Sequence, residues 1–168
     1  HSTKGEAMLL EGKVSIISGI GPGLGQELAY VFAREGSDVV LAARTESKLQ
    51  EVADEIARQW PERRTLICPT DIGDAEQTQR LVDATMAEFG RIDTLVNCAG
   101  VNRRRKVEDY DEATYDFITN INIRGAFFLS LFYYPAILTT MALGMLLFGD
   151  TLTIWFWLAL VLMAAGVA

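Results

Sequence analysis

The stretch "SGIGPGLG", Ser18 to Gly25, follows the apolar run "VSIIS" and leads into a helical pattern that begins near Leu24. A glycine cluster carries information only in such a strand-turn-helix setting. Gly19, Gly23 and Gly25 form the pattern G-x-x-x-G-x-G, with Gly21 between them. Without side chains the backbone can turn sharply and leave the amides of a helix N-terminus open to an anion, a diphosphate above all. The plainer alternative is a glycine-rich turn with no ligand.

Outward from that turn, β-rich runs alternate with helical patterns. "VSIIS" is followed by a helix over about Leu24 to Glu35, and "DVVLAA" by one over about Glu46 to Arg58. "RTLICP" leads to a helix over about Asp74 to Phe89, and "IDTLVNCAG" to one from about Asp111 into the Phe127 region. Leu28, Val31 and Phe32 in the first helix, and Leu49, Val52, Ala53 and Ile56 in the second, recur at three- and four-residue spacing and mark core faces. Four strand-helix units in succession predict an α/β fold with a four-stranded parallel sheet covered on both faces. The near-continuous apolar strands agree with that burial.

The second strand ends "LAAR". Arginine at position 44 stands where a dinucleotide fold meets the adenosine ribose, and its charge and fork geometry suit a 2′-phosphate. An acidic residue there would instead accept from a 2′-hydroxyl. Arg44 therefore favours NADP(H) over NAD(H), and a solvated arginine leading into a helix is the alternative.

The chain has 15 Lys and Arg, 22 Asp and Glu, and a formal net charge of -7. This balance argues against a nucleic-acid partner, which requires a basic stripe. The run "RRRK", Arg103 to Lys106, is the local exception and reads as a solvated loop. His1 is the only histidine, which removes Ser-His-Asp and histidine-metal chemistry, and no metal-ligand spacing is present. Cys68 and Cys98 each follow a short apolar run, as buried thiols do; a disulfide framework is not expected.

Charge is distributed unevenly. Every formal charge except that of Asp150 lies before Gly125, so Gly125 to Phe148 and Thr151 to Ala168 are two uncharged, largely apolar runs. Each exceeds or approaches the ~20 residues a helix needs to cross a bilayer. Pro135 interrupts the first and is better placed at a helix start, with Tyr133 and Tyr134 at its interfacial end. The organisation expected is a leader or disordered lead-in over 1–9, a nucleotide-binding half-domain over 10–132, and a hydrophobic helical hairpin over 133–168.

Residues from about Leu10 to Phe132 resemble the N-terminal half of the short-chain dehydrogenase/reductase family. The resemblance rests on "SGIGPGLG", on Asp71-Ile72 after the third strand, on "NCAG" at Asn97 to Gly100, and on "NINIRG" around Asn122. It implies a truncated Rossmann fold with strand order 3-2-1-4 and a nicotinamide dinucleotide held by Ser18, Gly19, Gly21, Gly23, Leu24, Gly25, Arg44, Asp71, Ile72, Asn97, Ala99 and Gly100. Asp71 would contact the adenine ring, Asn97 to Gly100 would brace the central strand beside the cofactor, and Asn122 would match the family's catalytic asparagine. Pro22 departs from the basic residue that many NADP-preferring relatives carry there, which leaves the cofactor preference resting on Arg44.

The family's reaction, hydride transfer between NADP(H) and a carbonyl or alcohol, also needs a tyrosine with a lysine four residues later, and a serine. An unperturbed tyrosine, pKa about 10, is a poor base at neutral pH. The residues four after Tyr30, Tyr110, Tyr115, Tyr133 and Tyr134 are Arg34, Thr114, Thr119, Ile137 and Leu138. Ser130 falls in the fourth helix, ahead of where the family's serine strand would be, and is not assigned that role. The expectation is a dinucleotide-binding member of the family that is catalytically incomplete.

The segment from Pro135 to Ala168 resembles the last two helices of EamA-like drug/metabolite transporters, with "LLFGDTLT" as the turn. It implies a membrane-associated chain whose N-terminal domain is cytoplasmic, since Arg124 and the "RRRK" run precede the apolar segments. Lipid, or another copy of the chain, would then join the dinucleotide as a partner. The alternatives are a cytoplasmic chain whose apolar hairpin covers the sheet edge, and a vestigial or chimeric protein without catalysis.

Overall fold

In a computed structural model, which describes residues 8–132, the alternation of β-rich and amphipathic segments becomes four parallel strands and their crossover helices. The strands are β1 (Val14–Ser18), β2 (Asp38–Ala43), β3 (Thr65–Pro69) and β4 (Thr94–Asn97). The helices between them are α1 (Leu24–Arg34), α2 (Glu46–Gln59) and α3 (Ala75–Phe89). The sheet order is β3-β2-β1-β4, as the family resemblance implies. Ile16 pairs with Val40 on one side and with Leu95 on the other. Pro69, which has no amide hydrogen to offer, ends β3 opposite Ala43.

The two-residue period of the strands divides the core. Ile17, Val39 and Leu41 face α1 and α2, where they meet Ala29, Ala33, Leu49, Val52 and Ile56. Ile16, Val40 and Ala42 face the opposite side, with Leu81 and Val82 of α3 and with Ile121 and Leu129. β1 is buried at every position, so Ile16 and Ile17 each contribute roughly 1.5–3 kcal/mol of apolar burial.

Helix boundaries follow from local chemistry. Asp74 caps α3 by accepting from the amides of Glu76 and Gln77, and Gly90, at φ 72°, ends it in the left-handed region. A short 3₁₀ turn, Val107–Asp109, precedes α4 (Glu112–Thr119), whose cap is Asp111. The fourth helix does not run on smoothly: a π turn, Asn120–Gly125, is inserted before helical geometry resumes over 126–132. Among the described residues no helix is long and apolar enough to cross a membrane. The expected hydrophobic hairpin over 133–168 lies outside the described residues.

Candidate functional site

Gly19 leaves the C-terminal end of β1 at φ 82°, in the region that favours glycine. Its amide donates to the Ala42 carbonyl at 2.7 Å, and the amide of Ile20 donates to the same oxygen at 3.2 Å. The turn is therefore pinned over the end of β2. A Cβ on Gly19 would stand 2.4 Å from the Ala99 nitrogen, and one on Gly25 would stand 2.4 Å from the Gly19 carbonyl oxygen. Loop, first helical turn and "NCAG" backbone thus touch where side chains would separate them. Gly23 occupies the N-cap of α1 and no side chain caps it, so the first-turn amides are open to an acceptor. Gly21 is half-buried, and Leu24 is exposed.

Above the strand ends lies a cavity of about 260 Å³. Gly19 and Ile20 border it from β1, Ala43, Arg44, Thr45 and Lys48 from β2 and α2, Thr70 to Ile72 from β3, Cys98 to Val101 from β4, and Ile121 from the π turn. The chain moves outward from β1 to β2 to β3 and then returns to place β4 on the other side of β1. Open α/β sheets bind ligands in the crevice at that reversal.

Of the residues singled out in the sequence, Gly19, Arg44, Asp71, Ile72, Ala99 and Gly100 border the cavity. Asp71 is held from two directions: its amide donates to Gln77 Oε1, and its Oδ1 accepts from the Gly73 amide, both at 2.9 Å. Arg44 is exposed and, among the described residues, takes part in no hydrogen bond or ion pair. The side chain of Lys48, one turn into α2, likewise makes no hydrogen bond or ion pair among the described residues.

Three expected residues have other engagements. Ser18 is fully buried, donates to the Val96 carbonyl at 3.2 Å, and so fastens β1 to β4. Asn97 donates from Nδ2 to Ser130 Oγ at 3.1 Å, tying the end of β4 to the fourth helix. Asn122, on the π turn, grips the backbone of Val101: Oδ1 accepts from the amide at 2.8 Å and Nδ2 donates to the carbonyl at 2.9 Å. Its amide group holds the loop after β4.

Ile20, Ala42, Thr45, Lys48, Thr70, Val101 and Ile121 also border the cavity, though no motif singles them out. Lys48 carried a signal in its position four residues after Arg44. Burial pushes the Cys98 thiol above its usual range, which keeps it neutral and poorly nucleophilic. Among the described residues no group of three His, Cys, Asp or Glu could hold a metal.

A family model described as short chain dehydrogenase matches residues 13–145, a span that overlaps the first part of the apolar segment. The 11-beta-hydroxysteroid dehydrogenase A of Sesamum indicum is 39% identical over 125 residues, 74% of this chain and 36% of that protein. An uncharacterized oxidoreductase of Staphylococcus aureus (strain USA300) is 31% identical over 130 residues, 77% of this chain and 54% of that protein. Among solved structures, L-sorbose reductase from Gluconobacter frateurii, complexed with NADPH and L-sorbose, is similar with a TM-score of 0.74 at 28% identity, covering 79% of this chain and 50% of that one. A short-chain type dehydrogenase/reductase from Mycobacterium marinum has a TM-score of 0.73 at 30% identity, covering 77% and 52%. The chain spans between about a third and about half of the length of these proteins.

Proposed function

We propose, given that this chain belongs to the short chain dehydrogenase family, that its cleft binds a nicotinamide dinucleotide and takes NADP(H) in preference to NAD(H). The observation that carries the preference is Arg44, exposed at the end of β2 with no protein partner among the described residues. Lys48 stands beside it on the cavity wall. Two cations at one end of the cleft suit the doubly charged 2′-phosphate, and arginine can meet it with a two-pronged hydrogen bond.

The remaining roles follow the same geometry. The open amides at the start of α1 would receive the diphosphate, Asp71 the adenine, and the backbone from Ala99 to Val101 the nicotinamide side. Bound NADPH supplies a hydride for a carbonyl carbon, and the oxygen of that carbonyl must then take a proton. Within the 168 residues no tyrosine is followed four positions later by lysine, and Asn122 holds Val101 with both of its amide atoms. We therefore read this chain as the dinucleotide-binding part of an oxidoreductase, without its own proton-transfer pair.

Titrating the full chain with NADPH and NADH by calorimetry tests this reading. NADPH should bind at least about tenfold more tightly, the effect of one charge-assisted contact. Equal affinities would remove the NADP preference, and no binding of either would remove the dinucleotide assignment. Steady NADPH oxidation with a panel of carbonyl compounds would overturn the catalytic incompleteness.

A second reading concerns location. The uncharged runs from Gly125 to Phe148 and from Thr151 to Ala168 support membrane attachment with the nucleotide-binding domain on the cytoplasmic side. Recovery of the full chain as a monomer without detergent would defeat that attachment and favour a cytoplasmic protein.

A further inference from the structure

The π turn touches two loops at once. Asn122 binds the loop after β4 through Val101. Asn120 lies two positions earlier, and on a helix residues two apart point to nearly opposite sides. It reaches the loop after β3: Asn120 Nδ2 donates to the Gly73 carbonyl at 3.5 Å. The amide of Asn120 is itself oriented, because Arg124 donates to its Oδ1 at 3.2 Å.

The bond at 3.5 Å is weak alone, yet it sits within a tight contact. A Cβ on Gly125 would stand 2.6 Å from the Ile72 carbonyl oxygen, and one on Gly73 would stand 2.9 Å from Asn120 Nδ2. Backbone thus meets backbone at Gly125 and Ile72, and the amide of Asn120 fills the space beside Gly73. Ile121, between the two asparagines, is buried in the same cluster as Ile72, and both residues border the cavity. A π turn adds one residue to a helical turn and is often retained where a helix meets a functional site. Here it sets the Asp71-Ile72-Gly73 loop and the Gly100-Val101 loop against a single piece of helix.

We propose that Asn120 is a positioning residue that fixes the Asp71-Ile72-Gly73 loop and thereby sets the cleft's selectivity for adenine. The proposal rests on the dinucleotide reading above. Asp71 Oδ1 accepts from the Gly73 amide at 2.9 Å, so a shift of Gly73 moves the carboxylate with it. A carboxylate in register with the base edge accepts from the 6-amino group of adenine. It repels the 6-oxygen of hypoxanthine, which offers no donor there. The readout is therefore the ratio of affinities for NADPH and for its hypoxanthine analogue, which a general loss of stability would leave unchanged.

In Asn120→Asp the donor to Gly73 is replaced by an acceptor of the same size. The wild-type chain should prefer NADPH about tenfold or more, and Asn120→Asp should lower that ratio at least about fivefold. Arg124→Ala keeps the asparagine but frees its amide to rotate, and should lower the ratio by a smaller factor. An unchanged ratio in whichever variant still melts cooperatively overturns the proposal. A wild-type chain that binds both analogues equally overturns it too, while leaving the dinucleotide reading intact. A wild-type chain that binds neither removes that reading, and this inference with it.

Discussion

Gly19 and Ala99 are in backbone contact across the cleft: a Cβ placed on Gly19 would lie 2.4 Å from the Ala99 nitrogen and 2.5 Å from its Cα. Gly19→Ala must push apart the ends of β1 and β4 while also holding alanine at a φ of 82°. The strained conformation alone costs about 1–3 kcal/mol, and the displaced backbone adds to it. Urea unfolding should show the lost stability, and titration with NADPH should show no binding at concentrations that saturate the wild type.

Arg44→Asp should reverse the cofactor preference. The 2′-phosphate loses a cation and gains a like charge, so NADPH affinity should fall about 100-fold or more, whereas NADH should gain an acceptor for its 2′-hydroxyl. Arg44 and Lys48 are exposed, so salt should screen the wild-type preference for NADPH. Calorimetry at low and high salt checks both effects, and a preference insensitive to salt would speak against the charge argument.

Asn122→Ala removes two hydrogen bonds to Val101 at a solvent-facing position. At roughly 0.5–1.5 kcal/mol for each bond, a loss of about 1–3 kcal/mol is expected. Hydrogen exchange at the Val101 amide should accelerate before global unfolding does. Asn122→Asp retains the acceptor and loses the donor, so Val101 exchange should rise less in it than in the alanine variant.

Asp93 links stability to acid. Burial raises its carboxyl pKa, but the Arg91 guanidinium, the Val14 amide and Lys13 outweigh burial and hold it below the ordinary value of 3.8. A folded-state pKa below the unfolded one means that the unfolded chain binds the proton more readily as pH falls. The contribution is complete above the unfolded value and is lost as pH drops through the folded one. Urea midpoints measured from neutral pH downward should fall more steeply below about pH 4 in the wild type than in Asp93→Asn.

The strands were legible because burial on both sheet faces demands it of them: "DVVLAA" is the whole of β2, apolar at every position after Asp38. The start of α3 was legible in Asp74, whose carboxylate caps it. The π turn was not, because it depends on Gly125 meeting Ile72, a contact between segments far apart in the chain. The cleft divides in the same way. Arg44 and Asp71 stood out as strand-end residues, whereas Ile121 and Val101 enter the cavity wall only through how the fourth helix docks. Asn97 and Ser18 were recognisable from their motifs, but their partners, Ser130 and Val96, could be assigned only once β4 and the fourth helix were placed.

The bond from the Val14 amide to Asp93 joins residues 79 positions apart, and β1 meets β4 across the same interval. The cleft spans that late junction, so a nascent chain that has made only its first three strands carries the wall from Gly19 to Ile72 and lacks the one from Cys98 onward. Ligand capture is thus a certificate of assembly: a dinucleotide can stabilise the finished sheet by mass action but meets only one wall of its site on a partly synthesised one. A ribosome-arrested series of increasing length should gain most of its nucleotide affinity in one step, once the chain from Thr94 through the π turn at Gly125 has emerged.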